Sequence, residues 1–343
     1  MAVGRTGTRR AALVLLALTG VLVVACVAGA AFGAVPISAG DVTGAVGAAL
    51  HGVPLTSSQA LVMDLRLPRV ALAALVGACL AAAGVLYQAL FHNALADPYI
   101  LGVSSGAGLG AALAFAAGGA GAAALWAPPL AAFAGALATI LLVAALATRR
   151  GVMETLSLLL AGVAVSYTLA ALTSFVLVLR REQMSRIVFW MMGGLQGATW
   201  QQVGIVALML SAGLAIALVY ARELNIMLLG DERAGELGVD VERVKRVILA
   251  AASLVVSAAV SVSGLIGFVG LMTPHAARLV LGPDHRLLLP ASVICGAIVM
   301  VLADLVARVV LAPVELPVGI VTAIAGGPVF VWLLVRAQRG AAL

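Results

Sequence analysis

Apolar runs of about twenty residues, almost free of charge, recur along this chain, and no other feature restricts its fold so severely. Such a run, coiled as an α-helix, is as long as the hydrocarbon core of a bilayer is thick, and it offers water no polar face. The runs fall at about 12–35, 69–90, 100–117, 126–147, 154–178, 203–221, 246–263, 265–281, 288–311 and 318–335. The third and eighth are short and rich in glycine, and Pro274 interrupts the eighth; neighbouring helices have to cover the backbone it frees. Charged residues make up 10% of the chain and mean hydropathy is +1.18, whereas a soluble domain carries about a quarter charged residues. The ten-residue alternation of an outer-membrane barrel is absent. The expected fold class is therefore all-α, a polytopic membrane protein of about ten helices.

The N-terminus has two readings. Arg5, Arg9 and Arg10 precede an apolar run from Ala11 to Ala34, as in a secretory signal, and Val23-Val24-Ala25-Cys26 has some likeness to a lipoprotein cleavage site. The run is long for a signal core and right for a span, so a retained first helix over 12–35 is expected. Cys26, Cys79 and Cys295 all lie inside apolar runs, which points to neither a disulfide framework nor a metal cluster.

Basic residues set the orientation. With the N-terminus in the cytoplasm, fourteen of the twenty fall inside, and Arg66, Arg69, Arg180, Arg181, Arg186 and Arg308 fall outside. The bias places both termini in the cytoplasm, with Arg180–Arg186 voting against. It also explains the net charge of +6 better than nucleic acid does, because the basic residues form no continuous stripe.

One window breaks the apolar pattern. Between Arg222 and Arg246, 25 residues carry eleven of the chain's 34 charges. A short helix is expected there, with Asp231 capping its first turn, Glu232 at its positive end, Gly238 closing it, and Ala234 and Leu237 sharing a face. The window is either a solvated loop between spans or a plug that another protein grips.

The chain lacks an engine of its own. Its one lysine, Lys245, follows Val244, so no Gly-Lys-Ser/Thr phosphate loop can be written. Its acidic residues lie in connections or at span ends; the deepest, Asp304, has Arg308 one turn on as a partner. Ion-driven carriers place an ionisable group near the midplane, so this distribution counts against a secondary transporter. His275 after Pro274 reads more readily as a hydrogen-bonded structural residue than as a heme or iron ligand. Gly102, Gly106 and Gly110, four apart, read as a close-packing face. Arg66-Leu67-Pro68-Arg69-Val70 has a faint echo five spans later in Arg243-Val244-Lys245-Arg246-Val247, the spacing of an inverted repeat.

Several ordered motifs together resemble the FecCD-type permeases, membrane subunits of ABC importers for ferric siderophores, heme and cobalamin. They are Arg66-Leu67-Pro68-Arg69 with Leu75-Val76-Gly77-Ala78, then Asn93-Ala94-Leu95-Ala96-Asp97-Pro98 and Leu101-Gly102-Val103-Ser104-Ser105-Gly106-Ala107. Leu229-Gly230-Asp231-Glu232 with Leu237-Gly238 follows, and then Gly267-Phe268-Val269-Gly270-Leu271 with Pro274, His275 and Arg278. Asp304, Arg308, Glu315-Leu316-Pro317-Val318-Gly319-Ile320 and Gly327-Pro328 close the set. Ala94 departs from the family, which usually has Pro there. The resemblance implies one integral membrane domain over 1–343, similar to a cobalamin-importer permease (type II), with its core bundle over 66–336. It also implies a second permease copy or paralogue, cytoplasmic ATP-binding subunits, an extracytoplasmic substrate-binding protein, and a place in the bacterial cytoplasmic membrane. No cofactor, metal or nucleic acid is implied, and ATP hydrolysis would belong to the partner subunit.

Within this resemblance, 222–245 matches the segment that couples to the ATPase, through Leu229, Gly230, Asp231, Glu232, Arg233, Ala234, Leu237 and Gly238. Arg66, Arg69 and Arg308 match arginines that meet glutamates of the binding protein; the alternative is that they anchor helix ends. Ferric-siderophore cargo leads by family abundance, ahead of heme or cobalamin, with an ion-coupled carrier as the competing class.

Overall fold

The computed structural model describes residues 5–33, 38–118, 122–149 and 151–340. In chain order its helices are α1 (Arg5–Ala31), α2 (Ala39–His51), α3 (Ser57–Leu61), α4 (Leu67–Leu90), α5 (Val103–Ala117), α6 (Ala122–Ala147), α7 (Thr155–Leu179), α8 (Met184–Met191) and α9 (Trp200–Val219). Then come α10 (Ala221–Met227), α11 (Asp231–Glu236), α12 (Val241–Ser263), α13 (Val269–Leu281), α14 (His285–Val309) and α15 (Val318–Gly340). A two-residue hairpin, β1 (Thr148–Arg149) with β2 (Val152–Met153), is the one strand pairing among the described residues.

Each of the ten apolar runs forms a helix: α1, α4, α5, α6, α7, α9, α12, α13, α14 and α15. The two short runs became α5 and α13, of 15 and 13 residues. Four short helices were not foreseen: α2, α3, α8 and α10. They sit in connections, where length and hydropathy do not mark a helix and local capping decides; Thr56, for example, forms a reciprocal capping box with Gln59 ahead of α3.

Helix α4 is the axis of the bundle, packed against α9, α12, α13 and α14. It is the most buried of the long apolar helices, and α12 is the next. These two most buried helices are the ones that carry the faint sequence echo. Small residues let α4 sit there. A Cβ on Gly77 would lie 2.1 Å from the Gly296 carbonyl oxygen of α14, and one on Gly84 would lie 1.8 Å from that of Gly270 on α13. Backbones meet at these crossings, as small-residue packing in a membrane requires. The expected glycine face divides: Gly106 and Gly110 press on the backbone of α6, but Gly102 forms the left-handed turn ahead of α5.

The approach to α4 is wound as one π-helical turn, Val62–Arg66. Pro68 has no N–H and its ring crowds the carbonyl four residues back, so the helix widens just before it. The result is that both Arg66 and Arg69 face protein, Arg66 being 7% exposed and the Arg69 side chain 14%.

Candidate functional site

The sequence-predicted residues gather at two places, one at each end of the bundle. At the end holding Arg66, a charged cluster joins four segments far apart in sequence. Arg69 Nε lies 3.0 Å from Asp304 Oδ1, and its Nη1 donates to both carboxylate oxygens of Glu315 at 3.0–3.1 Å. Arg308 Nε is 3.0 Å from Asp304 Oδ2, the ion pair that their spacing on one helix predicts. Gln196, between α8 and α9, adds a 3.2 Å bond from its Nε2 to Glu315. Asp304 is only 1% exposed, so its charge depends on the two guanidiniums that flank it.

Arg66 and Arg308 also hold the end of α1. Arg66 Nη1 donates to the carbonyls of Ala30 (2.9 Å) and Ala31 (2.7 Å). Arg308 donates from Nη2 to Gly29 (2.9 Å) and from Nη1 to Phe32 (3.2 Å). The last carbonyls of a helix lack intrahelical partners and carry partial negative charge, which a buried guanidinium satisfies on both counts. Anchoring of helix ends, weighed above as the alternative for these arginines, is thus part of what they do. They are not the exposed charges that a docking surface suggests. A cleft of about 290 Å³ remains above them, lined by Arg66, Arg69, Arg308 and Glu315 with Gly33 and Leu195.

At the other end lies the polar window, and α11 is the short helix expected there. Its cap differs from expectation. Gly230 (φ +99°) is the N-cap, without a side-chain bond, and Asp231 is the first helical residue. The Asp231 carboxylate is drawn away from the helix end: Oδ2 accepts from Lys245 Nζ at 2.5 Å, and Oδ1 lies 3.6 Å from His92 Nε2. Nor do Ala234 and Leu237 share a face. Ala234 is fully buried, whereas Leu237 is the C-cap, 62% exposed. Gly238 does close the helix, in a left-handed conformation, with its N–H on the Gly235 carbonyl and that of Val239 on Ala234. What faces outward is Leu228, Leu229 and Leu237 beside the exposed Glu232 and Arg233, an apolar surface with a charged rim.

The residues that hold this segment from behind carried little sequence signal. His92, at φ +48°, also bonds the Met227 carbonyl at 2.9 Å, so the loop after α4 grips both α10 and α11. Asn225 donates to Asp284 (2.7 Å) and accepts the backbone N–H of His285 (2.8 Å), fastening α10 to the start of α14. Arg278 on α13 donates to Gln88 of α4 (2.8 Å). Lys245 could have been suspected as the chain's one lysine, and His92 because it adjoins Asn93-Ala94-Leu95-Ala96-Asp97-Pro98. In that loop Asp97 accepts the Tyr99 N–H, and burial raises its carboxyl above the ordinary range. His275 is half-buried on α13, its Nδ1 without a hydrogen-bond partner.

A model of the FecCD transport family matches residues 21–336. The chain is 48% identical over 290 residues to the cobalamin import system permease protein BtuC of Halobacterium salinarum, covering 82% of this chain and 75% of that one. It is 41% identical over 282 residues to the vitamin B12 import system permease protein BtuC of Escherichia coli O9:H4, covering 82% and 85%. Among solved structures it matches, at a TM-score of 0.82 and 31% identity, a chain described as an inward-facing conformation of a proposed metal-chelate type ABC transporter, over 94% of this chain and 98% of that one.

Proposed function

The chain belongs to the FecCD transport family as a multi-pass ABC importer permease, and we propose that its cargo is a cobalamin-type corrinoid. The observation that carries this reading is the identity, 48% and 41% over more than four-fifths of the chain, to two permeases named for cobalamin and vitamin B12 import. It reverses the order expected from abundance, which put ferric siderophores first. The metal-chelate description of the structural relative accommodates either cargo, since a corrinoid is itself a chelated metal.

The working assembly is a pair of permeases over two cytoplasmic ATP-binding subunits, with an extracytoplasmic binding protein on the opposite face. Residues 1–343 form one membrane domain with both termini in the cytoplasm. The outward leucines of 228–237 seat in the ATPase, and the rear contacts of Asp231 and Ala234 carry its movement to α4 and α12. This is a two-state element biased at one end by nucleotide. On the other face, a binding-protein carboxylate engages Arg69, competing with Glu315, while Arg66 and Arg308 keep α1 in place. Asp304, 1% exposed, is committed to two arginines, which supports import by ATP over ion coupling.

Reconstitution with the cognate ATPase and binding protein tests the reading. ATP-dependent uptake of labelled cyanocobalamin, and its competition by unlabelled corrinoid but not by ferric siderophores, is expected. Uptake of a ferric siderophore alone would return the cargo to the first expectation, and nucleotide-free uptake on a proton gradient would remove the ATP-driven mechanism.

A further inference from the structure

A cleft of about 450 Å³ lies between α6, α9 and α12, away from both clusters described above. Its wall is aliphatic: Leu137 and Leu141 from α6, Ile216 from α9, and Leu249 and Leu254 from α12. Leu141 and Ala250 are exposed, so the cleft opens sideways onto the surface that a spanning bundle turns toward lipid, not into the core. The Ser253 hydroxyl in its floor is already committed, donating to the Leu249 carbonyl.

One charge borders it. Arg246 stands in the second turn of α12, directly after the polar segment, and so at the level where the bilayer meets water. It is exposed and forms no ion pair with a carboxylate among the described residues; its Nε donates to the Glu242 carbonyl at 3.2 Å. The nearest acid on its own helix face, Glu242, is engaged elsewhere, with Oε2 accepting the Met153 backbone N–H at 2.8 Å. From Arg246 the groove runs eight residues along α12 to Leu254, about 12 Å toward the bilayer middle.

We propose that this cleft is a binding site for an anionic phospholipid, with one acyl chain along the aliphatic wall and the phosphate at Arg246. The chemistry selects that occupant. Bilayer tails are as apolar as leucine, so burying a chain in the groove gives little preference for one lipid over another. Selection falls to the headgroup, where an interfacial guanidinium prefers a net negative phosphate to a zwitterion by about fivefold. Two bidentate-capable nitrogens of Arg246 point the same way, since a planar fork matches phosphate oxygens. The bound lipid would wedge between α6, α9 and the start of α12, and α12 holds the coupling segment through Lys245.

The test is native mass spectrometry of the intact importer released from nanodiscs containing phosphatidylglycerol and phosphatidylcholine in equal amounts with matched chains. Wild type is expected to retain phosphatidylglycerol over phosphatidylcholine by about fivefold. Arg246→Gln should bring the ratio close to one, while Arg246→Lys keeps most of it. Arg243→Gln, one turn back on the same basic stretch, should leave it unchanged. Ala250→Trp, which fills the groove, should lose both lipids while thermal melting and assembly match wild type. Equal retention of the two lipids by wild type, or the same drop in Arg243→Gln as in Arg246→Gln, would overturn the site.

Discussion

The two ends of this bundle hold charge in opposite ways. Around Asp304 the charges are buried or half-buried, interlocked across α4, α14 and the segment before α15, and bonded to the carbonyls that end α1. Around α11 a single buried lysine holds a half-exposed aspartate, and the segment's leucines are left to solvent. One end is built to keep its geometry, because removing any member strands another in a low-dielectric site. The other is fastened at a few points and presents its apolar surface outward, which suits an element that another protein moves.

The largest effect should come from breaking the tight end. Asp304→Asn leaves the buried Arg308 without its carboxylate partner and Arg69 with Glu315 alone, and the expected cost is about 3–5 kcal/mol. Scanning fluorimetry in detergent should show a clear fall in melting temperature, and restoring the charge balance with Arg69→Met in the same chain should recover part of it. A melt indistinguishable from wild type would mean the cluster is wet and mobile, and the contrast between the ends would vanish. Next, replacing Asp231–Leu237 by a Gly/Ser segment should lower the melt less than Asp304→Asn does but cut nucleotide-driven uptake by about 5–150-fold, the range that a coupling free energy of 1–3 kcal/mol spans. ATP turnover would continue without transport. Normal uptake in that variant would remove the coupling role of the segment.

How much of this was readable beforehand follows the range of the forces involved. Runs of apolar residues announce spans because bilayer thickness is a one-dimensional constraint, and each of the ten yielded a helix. The Asp304–Arg308 pair was readable because four residues on a helix make neighbours. Arg69 with Asp304, 235 residues apart, was not, since only the packing of α4 on α14 brings them together. The same limit explains the misassigned cap. Asp231 has the local chemistry of an N-cap, but Lys245 and His92 compete for its carboxylate, and Gly230 takes the turn instead. Arg66 was visible as a charge beside Pro68; that the π-helical turn swings it inward onto the end of α1 was not.

A smaller effect should come from the latch behind α11. Lys245→Met keeps the stem buried against its neighbours and deletes the charge that holds Asp231. Because Asp231 is 39% exposed, water replaces much of what is lost, and the expected change is about 1 kcal/mol, or roughly fivefold in the ratio of cargo moved to ATP consumed. The melt should shift far less than in Asp304→Asn. If the two shifted equally, the inner segment would be as rigidly built as the outer cluster.

The smallest and most specific effect concerns Glu315. Charge reversal at Arg66 or Arg69 would weaken the proposed docking of the binding protein but would also break the hold on α1 or on Asp304, so it confuses docking with folding. Glu315→Gln avoids that. Asp304 keeps both its arginines, and the amide can still accept from Arg69, yet one competing negative charge is gone from the rim of the cleft. The encounter rate with an acidic patch on the binding protein should rise by about two- to threefold at low ionic strength, and the gain should shrink as salt screens the field. Stopped-flow or surface-based association kinetics across a salt series would read it. An unchanged rate at low salt would mean that Arg69 is spent entirely on holding the bundle, and docking would have to be sought elsewhere on that face.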